Sequence, residues 1–217
     1  MEKTITVKGT GRISVAPDRA TVSFTIRHMK IEYEKAMEGT AEKLSALQDA
    51  MEAVGFDRKD LKTSSFRVRT EYESVCDKNG NYKTVFAGYA CEQDLKAEFD
   101  FEQKRLSAVL AAAAKCISEP SIHIGFSVKD TESVKEALLE KIAADAKKKA
   151  EILARASGTE IGELVSIQYQ WAEMNIVSPA SCQLEGKCMR TADAMTMDIT
   201  PENIDLEDSA AFVWKIG

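Results

Sequence analysis

The feature that most constrains this chain is a change of period near residue 30. Ala20, Val22, Phe24 and Ile26 alternate strictly with Thr21, Ser23, Thr25 and Arg27. Successive side chains on a strand point to opposite faces, so this run predicts a strand buried on one side. From Glu32 the apolar positions Tyr33, Ala36, Met37, Leu44, Leu47, Met51 and Val54 recur at helical spacing, and Gly55 stands where a left-handed cap belongs.

The same exchange repeats along the chain. Phe66, Val68, Thr70 and Tyr72 alternate, Asn79-Gly80 marks a turn, and Tyr89, Cys91, Leu95, Ala97 and Phe99 alternate on the return, which predicts a hairpin. A helix follows at about 101–116, then strand residues Ile122, Ile124, Phe126 and Val128. Asp130 caps a helix over 131–157 whose inner stripe is Val134, Leu138, Ile142, Ala146, Ala150 and Leu153. Val165, Ile167, Tyr169 and Trp171 read as a strand, and Phe212, Trp214 and Ile216 as a last one.

At the start, Ile5 and Val7, then Ile13 and Val15, suggest an opening hairpin. Gly9 and Gly11 lie between them as a bulge or a close backbone approach, and the bulge is the reading taken. Pro17-Asp18 suits a type I turn. The order ββαββ, then αβαββ, predicts an α+β fold: an antiparallel-rich sheet with three helices packed on one side. The whole chain, 1–217, reads as one domain with possible subdomains 1–100 and 101–217. Residues 172–205, with Pro179, Gly186 and Pro201 and no sustained period, read as a long irregular loop.

A net charge of −6 argues against nucleic-acid or anionic-membrane partners, and no stretch is apolar for the roughly 20 residues that span a bilayer. Lys147-Lys148-Lys149 reads as a solvated helix face. Five cysteines, an odd count without regular spacing, suit a reducing compartment and five free thiols. The start, Met1-Glu2-Lys3-Thr4-Ile5, passes into a strand pattern without a signal-peptide hydrophobic region. The expected location is therefore cytoplasmic, or periplasmic or secreted where a leader has been removed.

The ordered set Ile5-Thr-Val-Lys-Gly-Thr-Gly, Val15-Ala-Pro-Asp-Arg-Ala-Thr-Val22, Gly88-Tyr89, and the alanine-paced helix through Ala150-Glu-Ile-Leu-Ala154 to Gly158 resembles the SIMPL family. The resemblance covers roughly residues 4–171 and the last strand. It implies an α+β fold, ring-like self-assembly in some bacterial members, export and a link to stress resistance in many, and signalling through protein contacts in an animal member. The family has no agreed catalytic residues, so the resemblance supplies none.

The residues themselves offer little chemistry. His28 and His123, the two histidines, stand on strands with no serine or cysteine motif beside them and read as exposed. Gly9-Thr10-Gly11 precedes a strand rather than the helix a phosphate loop requires. Asp198, Glu202, Asp205, Glu207 and Asp208 form an acidic stretch that reads as solvated. Met174, Cys182, Cys188, Met189, Met195 and Met197 fall within 24 residues, and thiolate with thioether suits Cu(I), yet Cys-x₅-Cys matches no standard site. Cys182, Cys188, Met189, Met195 and Met197 stand as the metal candidates, with interface contact and a plain loop as the other readings.

Three functions follow. The leading one is a non-catalytic homo-oligomer, a dimer or higher ring, joined through sheet edges or the 172–205 loop and open to other protein partners. Of the edges, the strands holding Ile5, Val7, Phe212, Trp214 and Ile216 are the expected contact. The second is a small-molecule hydrolase or transferase with a site between the subdomains, and the third a soft-metal binder. No cofactor is expected.

Overall fold

The computed structural model describes residues 3–76, 80, 82–170, 176–184 and 199–217. These form an α+β fold with β1 Thr4–Val15, β2 Arg19–Lys30, α1 Tyr33–Glu52, β3 Lys62–Cys76, β4 Tyr82–Asp100, α2 Gln103–Lys115, β5 Ser121–Ser127, α3 Thr131–Ala156, β6 Ile161–Gln168, β7 Val177–Leu184 and β8 Ile204–Ile216. The strands make two sheets, one in the order β1-β8-β6 and the other β3-β4-β2-β5-β7. The pairs β1–β8, β6–β8, β2–β4 and β3–β4 are antiparallel.

The chain divides into two compact units that interleave in sequence. One comprises residues 18–126 and 180–200. Its core is built from the period-2 residues Ala20, Val22, Phe24 and Ile26 of β2 and Leu95, Ala97 and Phe99 of β4. Leu47 and Met51 of α1, Leu106, Val109, Leu110 and Ala113 of α2, and Ile122, Ile124 and Phe126 of β5 complete it. All are nearly or fully removed from water, at about 1.5–3 kcal/mol for each large side chain. The Arg105 guanidinium lies 4.8 Å from the Phe56 ring centroid and 5.2 Å from that of Phe99, which adds a cation–π contact.

The other unit comprises residues 1–17, 127–179 and 201–217. Here α3 covers one face of the smaller sheet. Leu138, Ile142, Ala146 and Ala150 pack on Val7, Ala210, Phe212 and Trp214, with Phe212 and Trp214 stacked at 5.4 Å. The last member of the α3 stripe is Ala154 rather than Leu153, which stands half exposed. The Asp130 carboxylate accepts from the Ser133 N–H at 3.0 Å as the expected N-cap, and Gly55 and Gly158 take the left-handed conformation after α1 and α3.

Three expectations about strands are corrected. The opening is one continuous strand, not a hairpin, because β1 pairs along its whole length with β8, from Thr4 opposite Lys215 to Val15 opposite Ile204. That register has no break, so Gly9 and Gly11 make no bulge; they allow a close approach. A Cβ at Gly9 would meet the Ile142 carbonyl oxygen, and one at Gly11 the Leu138 carbonyl oxygen at 2.8 Å.

Residues 172–205 are also not wholly a loop. Val177–Leu184 form β7 at the border of the larger sheet, where the missing N–H of Pro179 is tolerated. The last strand begins at Ile204, eight residues before Phe212, with Ile204 and Ala210 buried and Asp205 and Glu207 facing water. Asn79 and Trp171 lie outside the described residues.

Candidate functional site

The residues with chemical potential are scattered. His123 on β5 is exposed on the polar phase, as expected. His28 on β2 is half-buried, not exposed, and its ring lies against α1: a Cβ on Gly39 would collide with the imidazole. Burial, then the nearby Lys43 and Lys30 ammonium groups, push the His28 pKa down, so its imidazole is neutral at pH 7. No nucleophile bonds to it among the described contacts.

Of the metal candidates, Cys182 sits on β7 and packs against the core of its unit as a partly buried apolar group. Cys188, Met189, Met195 and Met197, with Met174, lie outside the described residues. Among the described residues no group of three or more His, Cys, Asp or Glu side chains could hold a metal ion. Two members of the acidic stretch have side-chain partners. Glu207 pairs with Arg12 at 3.0 Å, and Asp208 accepts from the Tyr169 hydroxyl at 2.8 Å. A groove of about 540 Å³ runs beside this ion pair, lined by Arg12, Ile13, Ser14, Asp205, Leu206 and Glu207. Its lining contains no histidine or cysteine, and the Ser14 hydroxyl accepts from the Asn203 amide at 3.3 Å.

The sheet edges are more informative. β8 lies between β1 and β6, so Phe212, Trp214 and Ile216 are on no edge. β1 is an edge, but α3 closes it. Lys141, Asp145 and Lys149, spaced four apart and therefore on one helix face, reach its outward backbone groups in turn. Lys141 donates to the Arg12 carbonyl at 3.2 Å, the Thr10 N–H donates to the Asp145 carboxylate at 2.8 Å, and Lys149 donates to the Lys8 carbonyl at 3.3 Å. Lys149 also binds Asp145 at 2.6 Å. These contacts close β1 between Lys8 and Arg12, next to the Ile5–Val7 stretch expected to be open, and the last residue of the lysine run is part of the closure.

β3, by contrast, ends the larger sheet and borders no further strand among the described residues. Beyond Tyr89, which pairs with Lys30 at the end of β2, β4 has only β3 beside it. The hairpin therefore continues past the core as a two-stranded ribbon. Gly88 permits this departure: its φ is +146°, and a Cβ there would lie 2.6 Å from the Lys30 carbonyl oxygen. A row of edge-to-face rings, Tyr33–Tyr89–Phe86–Tyr72, runs from α1 out onto the ribbon, with centroids 5.6, 5.3 and 5.9 Å apart. Tyr72 is 60% exposed and Tyr82 75%, and Val75, Val85 and Phe86 are also open to water. Sequence reasoning placed this hairpin but not its projection, since alternation alone does not show where a neighbouring strand stops.

Comparison with known proteins agrees on family. The model of the family described as SIMPL, protein of unknown function (DUF541), matches residues 5–214. Two relatives, each named 26 kDa periplasmic immunogenic protein, come from Brucella melitensis biotype 1 and Brucella abortus strain S19. Each is 27% identical over 172 residues, a match that covers 75% of this chain and 65% of the relative. Both names are periplasmic, which overturns the expected cytoplasmic location. The cysteine argument behind that expectation was weak for a physical reason. Cys91 and Cys116 are buried, packed as small apolar groups, and so report little about the redox state outside.

Proposed function

The chain belongs to the SIMPL family, and from that premise we propose that it is a non-catalytic self-assembling protein that acts through protein contacts. One observation carries this reading. Three side chains of α3 close the β1 edge between Lys8 and Arg12, whereas among the described residues no strand borders the β3 edge or the aromatic ribbon beyond it. A two-stranded ribbon is marginal by itself in water, and an open edge is a template for another strand. A ribbon that presents Tyr72, Tyr82 and Phe86 to solvent gains most by being covered. The periplasmic compartment named for the relatives is the proposed setting, and stress resistance, which the family resemblance implies, the proposed context.

Light scattering behind a sizing column, at tens of micromolar chain, tests the reading. The expected mass is that of a dimer or a multiple of it. A monomer at that concentration overturns the proposal. The hydrolase or transferase reading has no convergent acid, base and nucleophile to support it in the groove beside Arg12 and Glu207.

A further inference from the structure

The geometry points to a second copy of β3 as the occupant of the open edge, antiparallel to the first about a two-fold axis at Thr70. This rests on the assembly reading above and supplies its contact. From Ser65 to Cys76 the strand alternates without interruption, because the irregularity after Glu71 puts its extra residue, Ala87, into β4. Phe66, Val68, Thr70 and Tyr72 share the core-side face, Val68 standing opposite the buried Cys91. Arg67, Arg69, Glu71 and Glu73 share the other.

The order of signs along that outer row, two positive and then two negative, is self-complementary when reversed. With the axis at Thr70, Arg67 faces Glu73 of the second copy and Arg69 faces its Glu71, and symmetry repeats both contacts. All four outer-row contacts are then of opposite sign. A slip by two residues sets Arg69 against Arg69, or Glu71 against Glu71, and keeps only two opposite pairs. A parallel pairing in register makes every contact like-charged. Charges on an edge usually deter pairing, but a self-complementary row deters only the wrong register.

The core-side face agrees. The same register places Val68 across from Tyr72 of the second copy, twice about the axis, and aromatic with β-branched cross-strand pairs stabilise a sheet. Phe66 and Tyr72, 48% and 60% exposed in one copy, flank this contact. The existing ion pairs hold the row in place: Arg67 lies 2.5 Å from Glu92 and 2.9 Å from Asp94, and Arg27 2.8 Å from Glu71. A two-fold contact of this kind uses the same strand on both copies, as an isologous interface requires.

The test is a pair of charge reversals in the full chain, Glu73→Arg and Arg67→Glu, measured by light scattering separately and as an equimolar mixture. Each reversal alone sets like charges opposite one another twice per dimer and weakens association roughly ten-fold. In the mixture the two chains complement each other, so a mixed dimer forms at wild-type strength. A mixture as weak as its components, or single variants as strong as the wild type, overturns the register and leaves the assembly reading intact. A monomeric wild type overturns both. Thr70→Cys in a Cys76→Ser background provides a measurement independent of charge. Mild oxidation is expected to give a dimer band without reductant, and its absence from an oligomeric sample overturns the axis at Thr70.

Discussion

Gly9 of β1 lies so close beneath Ile142 of α3 that an alanine Cβ there would collide with the Ile142 carbonyl oxygen and stand 2.7 Å from the Ala146 Cβ. Neither obstacle is the free end of a side chain, so the helix or the strand must move. Gly9→Ala is expected to destabilise the chain by about 1–3 kcal/mol, the range for overpacking a close contact, and denaturant unfolding measures it. Gly39→Ala meets only the tip of the His28 ring, which can swing aside, and is expected to cost less.

The β1 closure has its own acid dependence. The Lys149 ammonium, and after it the Thr10 N–H, hold the Asp145 carboxyl below the usual carboxylate range. A depressed folded pKa means that the stabilisation is complete above the unfolded value, about 3.9, and is lost as pH falls through the folded one. Thermal unfolding of wild type and Asp145→Ala is expected to differ at pH 7 and to converge as pH falls through the lowered folded pKa, where the wild-type carboxylate is protonated too. A difference independent of pH would rule out the charge-assisted closure.

His28 titrates with the same sign at a higher pH. Its depressed pKa makes the folded state prefer the neutral ring, so its contribution is full above about 6.5 and falls as pH drops through the folded value. Lys30 and Lys43 oppose the protonated ring and Glu42 favours it. Stability measured from pH 8 to pH 5 is expected to fall for wild type, and to fall less for His28→Asn.

Cysteine reactivity follows burial. Cys76 is exposed, whereas Cys91 and Cys116 are buried. A thiol reagent applied to native, unreduced chain is expected to modify Cys76 first and Cys91 and Cys116 only on unfolding. All five cysteines are expected to be modified in denaturant, and mass spectrometry reads the sites. A Cys182–Cys188 bridge would appear as two sites that stay unmodified.

Much of this architecture was legible because period and punctuation agree locally. The β2 alternation, the α1 and α2 stripes, the Asp130 cap and the glycines at 55 and 158 depend only on near neighbours. What escaped depended on distant ones. Nothing near Ile5 says that its partner is Trp214, so β1 resembled half of a hairpin. Pro179 disguised β7, because a proline within a run reads as loop until the strand is known to be at a sheet border. Acidic side chains on the wet face of β8 hid the apolar alternation beneath them. The helix stripe of Lys141, Asp145 and Lys149 reads as solvated until the strand it serves is known, and the sign pattern of β3 has meaning only once β3 is an edge.

The pairing of Thr4 with Lys215 has a consequence for the order of events in folding. Every residue pair in the β1–β8 ladder joins positions about two hundred apart, so its loop-closure cost falls due before any of its contacts form. Residues 18–126, which build most of the other unit, are available together as soon as that stretch leaves the ribosome. β1 and α3 can meanwhile pack on each other, but Val7, Leu138, Ile142 and Ala146 lack Ala210, Phe212 and Trp214 until residues 204–216 arrive. A chain stopped before residue 204 would keep its first strand and its longest helix yet never acquire the strand that lies between β1 and β6.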